Sequence, residues 1–202
     1  KKASPSEGKI FVGKNFDAVK IAKTYEKGGA SAISVVTDEK YFQGSFEYLK
    51  SVSAATNLPI LCKDFVIQEY QIYKAREYGA NAILLIAALL DEVKIKKFMN
   101  IADDLGMDCV TEVHNESELQ KALDTDAKII GINNRNLTNF KIDTETTNRL
   151  IRLIPRGKLI VSESGFNGRE DLKKLNRNVN AVLIGTALMK AKNVKKLLHE
   201  IT

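Results

Sequence analysis

The sequence is poor in the residues that mark several special classes of protein. Its 202 residues include two cysteines, two histidines, three prolines and no tryptophan. So few cysteines give no disulfide framework, and neither they nor the histidines show the spacing of metal ligands. The longest apolar run, 82–90, has nine residues, whereas a membrane-spanning helix needs roughly 20. No signal peptide opens the chain, so we expect a cytoplasmic protein with no membrane partner.

Positive charge exceeds negative charge in this chain. Lys and Arg number 31 against 25 Asp and Glu, which gives a net charge of +6. A basic surface attracts nucleic acid, acidic lipid or anionic metabolites. Here the lysines are scattered along helix-like segments such as 192–196, with no arginine-rich block and no basic patch with interleaved aromatics. We therefore predict no nucleic-acid partner; most of this charge faces water, and the remainder favours an anionic small molecule.

One pattern recurs along the chain: the end of a helix, a glycine or polar turn, and then an apolar run. Glycine after a helix adopts the left-handed conformation that ends it, and continuous apolar runs suit parallel strands buried on both faces. Together with 59–65 and 159–165, the repeats predict seven strands whose starts lie 21 to 30 residues apart, the spacing of βα units. The repeats are at 28–36, 79–86, 106–111, 126–132 and 179–184.

The segments between these strands show helical periodicity. Eight helices are predicted, and the first has no strand before it. An α/β fold of the (β/α)8 TIM-barrel type explains this if its first strand lies just upstream of Lys1; an open seven-stranded sheet is the alternative. Because no linker divides the chain, we expect one barrel domain over 1–202 that is incomplete at its N-terminus. The predicted helices are 16–28, 46–56, 67–78, 91–105, 116–123, 144–153, 168–176 and 192–201.

Polar residues that follow the apolar runs are the candidate functional residues, since active sites of such barrels form at the carboxyl ends of the strands. Strand alternation allows Lys63 and Glu112 to point into the barrel mouth. There they form either an acid–base pair with mutually tuned pKa values or a structural ion pair. Asn133 either orients a substrate or caps a loop.

Two further strand ends carry a phosphate-binding pattern. They read Ser164-Gly165 and Gly185-Thr186, and glycine lets backbone N–H donors approach an anion closely. The loops after the last two strands are also the usual phosphate site of this barrel. Ordinary turn glycines are the alternative. The opening segment 1–6, with two lysines and two serines, either binds a phosphate or carboxylate or is a solvated tail.

The histidines and cysteines are not candidates. His114 is expected on the face of its strand opposite Glu112, and His199 on a surface helix. Cys62 and Cys109 lie in apolar segments and are expected to be small core residues rather than nucleophiles.

With these segments identified, the sequence resembles the indole-3-glycerol phosphate synthase family, (β/α)8-barrel carboxy-lyases of tryptophan biosynthesis. The matching phrases are collinear and cover almost the whole chain. They are Lys-Lys-Ala-Ser-Pro-Ser at 1–6, Thr-Asp-Glu-Lys-Tyr-Phe-Gln-Gly-Ser at 37–45, Lys-Asp-Phe at 63–65, Tyr-Gln-Ile at 70–72, Glu-Val-His at 112–114, Gly-Ile-Asn-Asn-Arg-Asn-Leu at 131–137, Ser-Glu-Ser-Gly at 162–165 and Ile-Gly-Thr-Ala-Leu-Met at 184–189.

The resemblance implies an activity and a role for each candidate. The family closes the pyrrole ring of 1-(2-carboxyphenylamino)-1-deoxyribulose 5-phosphate with loss of CO2 and water, and it needs no cofactor or metal. Lys63 is implied as the general acid at the substrate ketone, and Glu112 as the group that handles a proton in dehydration and helps to orient Lys63. Lys1 is implied as a contact to the anionic substrate that also assists the acid–base steps. Asn133, Arg135 and Glu163 would position the substrate. The implied apolar walls are Pro5, Phe42, Phe65, Leu84, Ile86 and Leu183, and the implied phosphate ligands are Ser4, Ser164, Gly165, Gly185 and Thr186.

The sequence departs from the family pattern at its start. The family carries a glutamate two residues before the position of Lys1, and an N-terminal helical extension; neither is present in these 202 residues. Two other functions stay open: phosphoribosylanthranilate isomerase, which does not account for Lys63 and Glu112 together, and a non-catalytic barrel that binds a phosphorylated metabolite. The expected partner is a small phosphorylated, carboxylated substrate. We expect a monomer; fusion to, or association with, other tryptophan-pathway enzymes stays open.

Overall fold

The computed structural model describes residues 1–11 and 16–201, which form alternating strands and helices. The strands are β1 (Ala3–Ser4), β2 (Gly8–Lys9), β3 (Ile33–Val36), β4 (Ile60–Lys63), β5 (Ala82–Ile86), β6 (Asp108–Val113), β7 (Ile129–Asn133), β8 (Leu159–Glu163) and β9 (Ala181–Leu183). The helices are α1 (Ala18–Lys27), α2 (Phe46–Ser53), α3 (Glu69–Glu77), α4 (Glu92–Asp104), α5 (Glu116–Asp124), α6 (Glu145–Leu150), α7 (Arg169–Leu172), α8 (Thr186–Lys190) and α9 (Val194–Ile201), with a 3-10 turn at Ile151–Leu153. None of the helices in these ranges is long and apolar enough to cross a membrane.

Strands β3 to β9 form one parallel sheet in which each strand pairs with the next along the chain. Within the described residues the sheet has seven strands, the number predicted from the repeats. The first helix, α1, packs against the last, α9, and Lys1 reaches Thr186 beyond β9. The sheet therefore curves until its two ends approach each other, which fits the predicted (β/α)8 barrel and not an open sheet.

The apolar strand residues fall into two layers because alternate side chains point to opposite faces. Ile83 and Leu85 belong to the large cluster between the sheet and the helices. Leu84 and Ile86 belong to a smaller cluster inside the barrel, together with Val110. Strand β5 is thus buried on both faces, which explains its uninterrupted apolar sequence.

The helix starts follow local capping chemistry. Asp91, which was predicted inside a helix at 91–105, is the cap residue of α4, and its carboxylate accepts a hydrogen bond from the backbone N–H of Lys94 at 2.8 Å. Asp17 and Asn115 cap α1 and α5 in the same way.

The structure also corrects several predicted elements. No strand was predicted in the opening segment 1–6, but its residues 3–4 form β1 and pair with β2 in a hairpin. Helix α8 was missed because five residues are too few to show helical periodicity. The helix predicted at 144–153 ends at Leu150 and continues as a 3-10 turn, and the one predicted at 168–176 has only four helical residues.

Candidate active site

The predicted site residues line one cavity at the carboxyl ends of the strands. Its volume is about 1430 Å³. The cavity extends from the barrel mouth along β3 and β9, the two end strands of the sheet that the described residues form, and reaches Ala30 and Asn180 before these strands. The lining includes Lys1, Ser4, Pro5, Phe42, Lys63, Phe65, Leu84, Ile86, Glu112, Asn133, Arg135, Glu163, Ser164, Gly165, Leu183, Gly185 and Thr186.

Lys63 lies at the centre of this site between two carboxylates. Its ammonium group donates to Oε2 of Glu112 at 3.0 Å and to Oε2 of Glu163 at 2.8 Å. Lys63 and Glu163 are the last residues of β4 and β8, and Glu112 is the last but one of β6. The inward side chains of such alternate strands form one layer of the barrel. Both carboxylates are almost fully buried, whereas the Lys63 side chain is 25% exposed. Lys63 is therefore the most accessible member of this cluster, although Glu112 and Glu163 also line the cavity.

The pKa values of the three groups follow from this packing. Burial alone would lower the pKa of Lys63, but Glu112 and Glu163 outweigh it and raise the pKa above its usual value. Burial alone would raise the pKa of Glu112, but Lys63 and His114 lower it far below the usual range. For Glu163, burial and the charge of Glu112 outweigh Lys63, and its pKa rises to about 7. At neutral pH the cluster thus holds a charged lysine, a charged Glu112 and a Glu163 close to half protonation.

Asn133 and Arg135 follow β7 and extend the polar surface of the site. The Asn133 amide donates to Oε1 of Glu112 at 3.1 Å, and its carbonyl oxygen accepts from the backbone N–H of Arg135 at 3.0 Å. The guanidinium group donates to the carbonyl of Phe140 at 3.2 Å and lies 3.8 Å from a carboxylate oxygen of Glu7. These contacts hold the Arg135 side chain along the rim of the cavity.

Gly131 on β7 makes room for Glu163. A Cβ atom on Gly131 would lie 2.6 Å from Oε1 of Glu163 and 2.9 Å from a methyl carbon of Val110. Oε1 is a buried oxygen with no hydrogen-bond partner among the described residues. Sequence reasoning did not assign a role to Gly131, although it lies in the Gly-Ile-Asn-Asn-Arg phrase.

The loop after β8 turns sharply at the predicted phosphate-binding residues. Ser164 and Gly165 have φ angles of 68° and 93°, so two successive residues adopt the left-handed conformation. That these residues bind phosphate stays a prediction. A Cβ atom on Gly165 would lie 2.8 Å from methyl groups of Ile142 and Thr144. Glycine is therefore needed at this position for both conformation and space.

A buried amide that the sequence did not single out holds this loop in place. The side chain of Asn134 donates to the carbonyl oxygen of Ser164 at 3.0 Å and accepts from the backbone and hydroxyl of Thr147. Asn134 and Thr147 are both buried. In the sequence, only the position of Asn134 beside Asn133 in the Gly-Ile-Asn-Asn-Arg phrase indicated a role for this residue.

Lys1 lies at the other predicted phosphate loop, after β9. Its ammonium group donates to the hydroxyl of Thr186 at 2.9 Å, and a Cβ atom on Gly185 would lie 3.3 Å from its side chain. Burial, followed by the positive charge of Arg135, lowers the pKa of Lys1 to about 8. The structure thus brings a lysine and the Gly185-Thr186 turn together.

The expectation that His114 faces away from Glu112 was wrong. Nε2 of His114 lies 3.2 Å from Oε1 of Glu112, and Nδ1 lies 2.9 Å from Oε2 of Glu118. Because residues two apart in a strand share a face, the sequence already indicated that His114 lies on the same side as Glu112. His199 is exposed on α9, Cys62 is buried in the core and Cys109 is half-buried.

The described residues contain no group of three or more His, Cys, Asp or Glu side chains arranged to hold a metal ion. That the reaction needs no cofactor stays a prediction.

Comparison with solved structures confirms the fold class. The chain is similar to thiamine phosphate pyrophosphorylase from Pyrococcus furiosus, with a TM-score of 0.69 and 19% identity over 91% of this chain and 86% of that one. It is also similar to KGPDC from Streptococcus mutans in complex with D-R5P, with a TM-score of 0.71 and 14% identity over 91% and 88% of the two chains. At such identities the likeness concerns the fold alone.

Comparison of sequences identifies the family. The sequence profile described as indole-3-glycerol phosphate synthase matches residues 1–201. The enzyme of that name from Acetivibrio thermocellus is 47% identical over 201 residues, which are 99% of this chain and 76% of the relative. The one from Caldanaerobacter subterraneus subsp. tengcongensis is 50% identical over 191 residues, 94% of this chain and 73% of the relative. The chain therefore belongs to the indole-3-glycerol phosphate synthase family, the carboxy-lyases of tryptophan biosynthesis.

Proposed function

We propose that this chain converts 1-(2-carboxyphenylamino)-1-deoxyribulose 5-phosphate into indole-3-glycerol phosphate, and that Lys63, Glu112 and Glu163 carry the proton transfers. The observation that carries these roles is the position of the Lys63 ammonium group, between two buried carboxylates and open to the cavity. An ammonium group has three N–H donors. Two are used by Glu112 and Glu163, and the third is available to a substrate oxygen.

In the first step the aromatic carbon that bears the carboxylate attacks the ketone carbon. The ketone oxygen gains negative charge as this bond forms and takes a proton from Lys63, which regains one from solvent. Because its two carboxylate partners keep Lys63 charged, a fixed cation is in place before the charge develops. The carboxylate then leaves as CO2, and its bonding electrons restore the aromatic ring.

In the second step the new hydroxyl group leaves as water and the adjacent carbon loses a proton. Glu112 is a carboxylate at neutral pH and is suited to accept that proton, whereas Glu163 retains a proton up to a pH of about 7 and is suited to donate one to the leaving hydroxyl group. Two carboxyl groups with opposite protonation states can therefore divide the acid and base roles.

The remaining predicted residues hold the substrate. The loops at Ser164-Gly165 and Gly185-Thr186, with Ser4, would bind the phosphate, and Lys1 and Arg135 supply positive charge for the two anionic groups. Asn133 would orient the reacting groups through Glu112. Binding at both ends fixes the distance between the reacting carbons and so lowers the entropic part of the barrier. The walls around the aromatic ring would be Pro5, Phe42, Phe65, Leu84, Ile86 and Leu183.

We also propose that residues 1–202 form one barrel domain that acts as a monomer in the cytoplasm, where its phosphorylated substrate would be made and used. Association with, or fusion to, other enzymes of the tryptophan pathway fits an enzyme that receives its substrate from a preceding step.

Fluorescence provides the test, because the product contains an indole and the protein contains no tryptophan. Purified protein is mixed with the carboxyphenylamino-deoxyribulose phosphate, and indole emission is followed with time. We expect emission to grow with first-order dependence on enzyme. If the substrate binds and no indole forms, the chain is a non-catalytic phosphate-binding barrel. If it instead isomerises phosphoribosylanthranilate, the isomerase alternative is correct.

A further inference from the structure

A buried histidine connects the proposed base to the first turn of a helix. The His114 side chain is 8% exposed and lies directly after β6. Its Nε2 atom makes an ion-pair contact of 3.2 Å with Oε1 of Glu112, and its Nδ1 atom lies 2.9 Å from Oε2 of Glu118 on α5. One ring therefore touches two carboxylates that come from different elements.

The outer carboxylate is held firmly. The backbone N–H of His114 donates to Oε2 of Glu118 at 2.9 Å, and the side-chain amide of Asn115 donates to Oε1 at 2.8 Å. The Glu118 backbone N–H in turn donates to the side chain of Asn115, which caps α5. The helix start thus fixes Glu118, and Glu118 fixes one edge of the imidazole ring.

This arrangement favours the charged form of the ring. A neutral imidazole has one nitrogen without a proton, and here that nitrogen would face a carboxylate oxygen. With protons on both nitrogens, Nδ1 donates to Glu118 at 2.9 Å, and Nε2 lies 3.2 Å from the Glu112 carboxylate as an ion pair without an aligned hydrogen bond. Consistently, although burial would lower the pKa of His114, its contacts with Glu112 and Glu118 raise it to about 9. The other charged groups that face Glu112 are Lys63 from β4 and Glu163 from β8.

We propose that His114 is a positioning residue for the synthase reaction: as an imidazolium held by Glu118, it fixes the Glu112 carboxylate and biases the shared proton of the carboxyl pair toward Glu163. This inference rests on the proposed roles of Glu112 and Glu163. His114 does not line the cavity, so it acts through Glu112 and not on the substrate. Its positive charge stabilises the ionised Glu112 and leaves Glu163 as the carboxyl group that retains a proton.

The test compares His114→Asn and His114→Gln with the native protein by turnover across pH 5.5 to 9, using indole fluorescence. Removing the imidazolium takes a positive charge from the carboxyl pair, which raises the pKa of the pair. We expect kcat to fall about 10- to 100-fold with KM within about twofold. We also expect the neutral-range decline of kcat to move to higher pH by at least about half a unit.

Two further variants distinguish a positioning role of His114 from a general loss of structure. His199→Asn removes the only other histidine from an exposed position and should leave kcat and its pH profile unchanged. Glu118→Gln keeps the His114 ring but loses its outer carboxylate, so it should shift the profile in the same direction by a smaller amount. Glu118 also serves as the check if both His114 variants fail to fold, which circular dichroism will show.

Ring nitrogen NMR on the native protein gives an independent readout, with His199→Asn assigning the signal. We expect the doubly protonated form of His114 at pH 7.5; a neutral ring would overturn the proposal. So would an unmoved pH profile in folded His114 variants. Glu112→Gln distinguishes the two levels of inference: if Glu112→Gln is inactive and the His114 variants behave like the native protein, only the role of His114 fails. If Glu112→Gln is itself active, the proposed function of Glu112 fails.

Discussion

The ammonium nitrogen of Lys63 lies 2.8 Å from Oε2 of Glu163, and the same nitrogen binds Glu112 at 3.0 Å. One cation thus lies between two carboxylates that are both almost completely buried. Glu112 keeps its charge because both Lys63 and the His114 ring contact it. Burial and the charge of Glu112 oppose ionisation of Glu163, so one carboxyl group of the pair retains a proton near neutral pH. With its pKa raised to about 7, Glu163 is the group that retains this proton, and its second oxygen, Oε1, has no hydrogen-bond partner among the described residues.

Replacement of Lys63 should abolish ring closure. In Lys63→Ala no cation is present where the ketone oxygen gains charge, and we expect kcat to fall by roughly 10³-fold or more. Binding of the product, indole-3-glycerol phosphate, should change little, because the phosphate loops do not involve Lys63. Turnover is measured by indole fluorescence and binding by titration.

Two further variants complete this experiment. Lys63→Met keeps the volume of the side chain and should be equally inactive. Lys97→Ala removes an exposed lysine that pairs with Glu69 on the surface and should retain native turnover. Near-normal activity in either Lys63 variant would refute the proposed role.

Replacement of Glu163 by Gln should raise the stability of the protein at high pH while it lowers activity. The folded-state pKa of Glu163 is raised from its usual 4.5 to about 7. Its contribution to stability is therefore fully present below pH 4.5 and is lost as pH rises through about 7. Glu163→Gln stays neutral at every pH, so its free energy of unfolding should exceed that of the native protein by about 1–3 kcal/mol at pH 8. Urea unfolding at pH 5 and pH 8 measures the difference, which should be small at pH 5.

The same variant should change the pH dependence of catalysis. The native kcat is expected to decline as pH rises through about 7, because Glu163 loses the proton that it donates. Glu163→Gln should be slower at all pH values and should lack this decline. A native-like decline in the variant would assign that titration to another group.

Much of the fold was predictable because each βα unit is determined by residues that are close together in the sequence. Buried parallel strands need uninterrupted apolar runs, and Gly79 and Gly106 end helices with φ angles of 91° and 66°, a conformation that favours glycine. Helix α8 and the β1–β2 hairpin were not predictable, since each is too short for periodicity and depends on tertiary contacts.

The sequence predicted which strand ends carry the site residues, but it did not predict the contacts between their side chains. Register rules placed Lys63 and Glu112 at the mouth, but the distance between their atoms depends on how far the sheet curves. Glu163 was expected to bind substrate, and its contact with Lys63 required three-dimensional packing. The space above Gly131 is likewise defined by Glu163 and Val110, which are distant in sequence. The contacts of His114 with Glu112 and Glu118 are local, so the sequence could have predicted them.

Gly131→Ala tests that space. The added methyl group would lie 2.6 Å from Oε1 of Glu163 and 2.9 Å from Val110, so Glu163 must move away from Lys63 or the strands must separate. We expect a loss of about 1–3 kcal/mol in stability and a fall in kcat of roughly tenfold or more. Gly168→Ala is the matched control, because a Cβ atom there meets nothing within 4 Å. Equal turnover in the two variants would show that the position of Glu163 is not restricted by Gly131.

Gly185→Asp tests the phosphate site after β9. The new carboxylate would lie beside Thr186 and close to Lys1, whose side chain is 3.3 Å from the position of a Cβ atom on Gly185. It would repel the substrate phosphate and pair with Lys1, so we expect KM to rise at least about tenfold with a smaller change in kcat.

Gly185→Ala is the matched control, because it adds a similar Cβ atom without charge. Gly185 has an ordinary φ angle of −116°, so this control should raise KM much less. Steady-state kinetics at several ionic strengths measure both variants, and the difference between them should shrink as salt screens the charge. An unchanged KM in Gly185→Asp would place the phosphate elsewhere in the cavity.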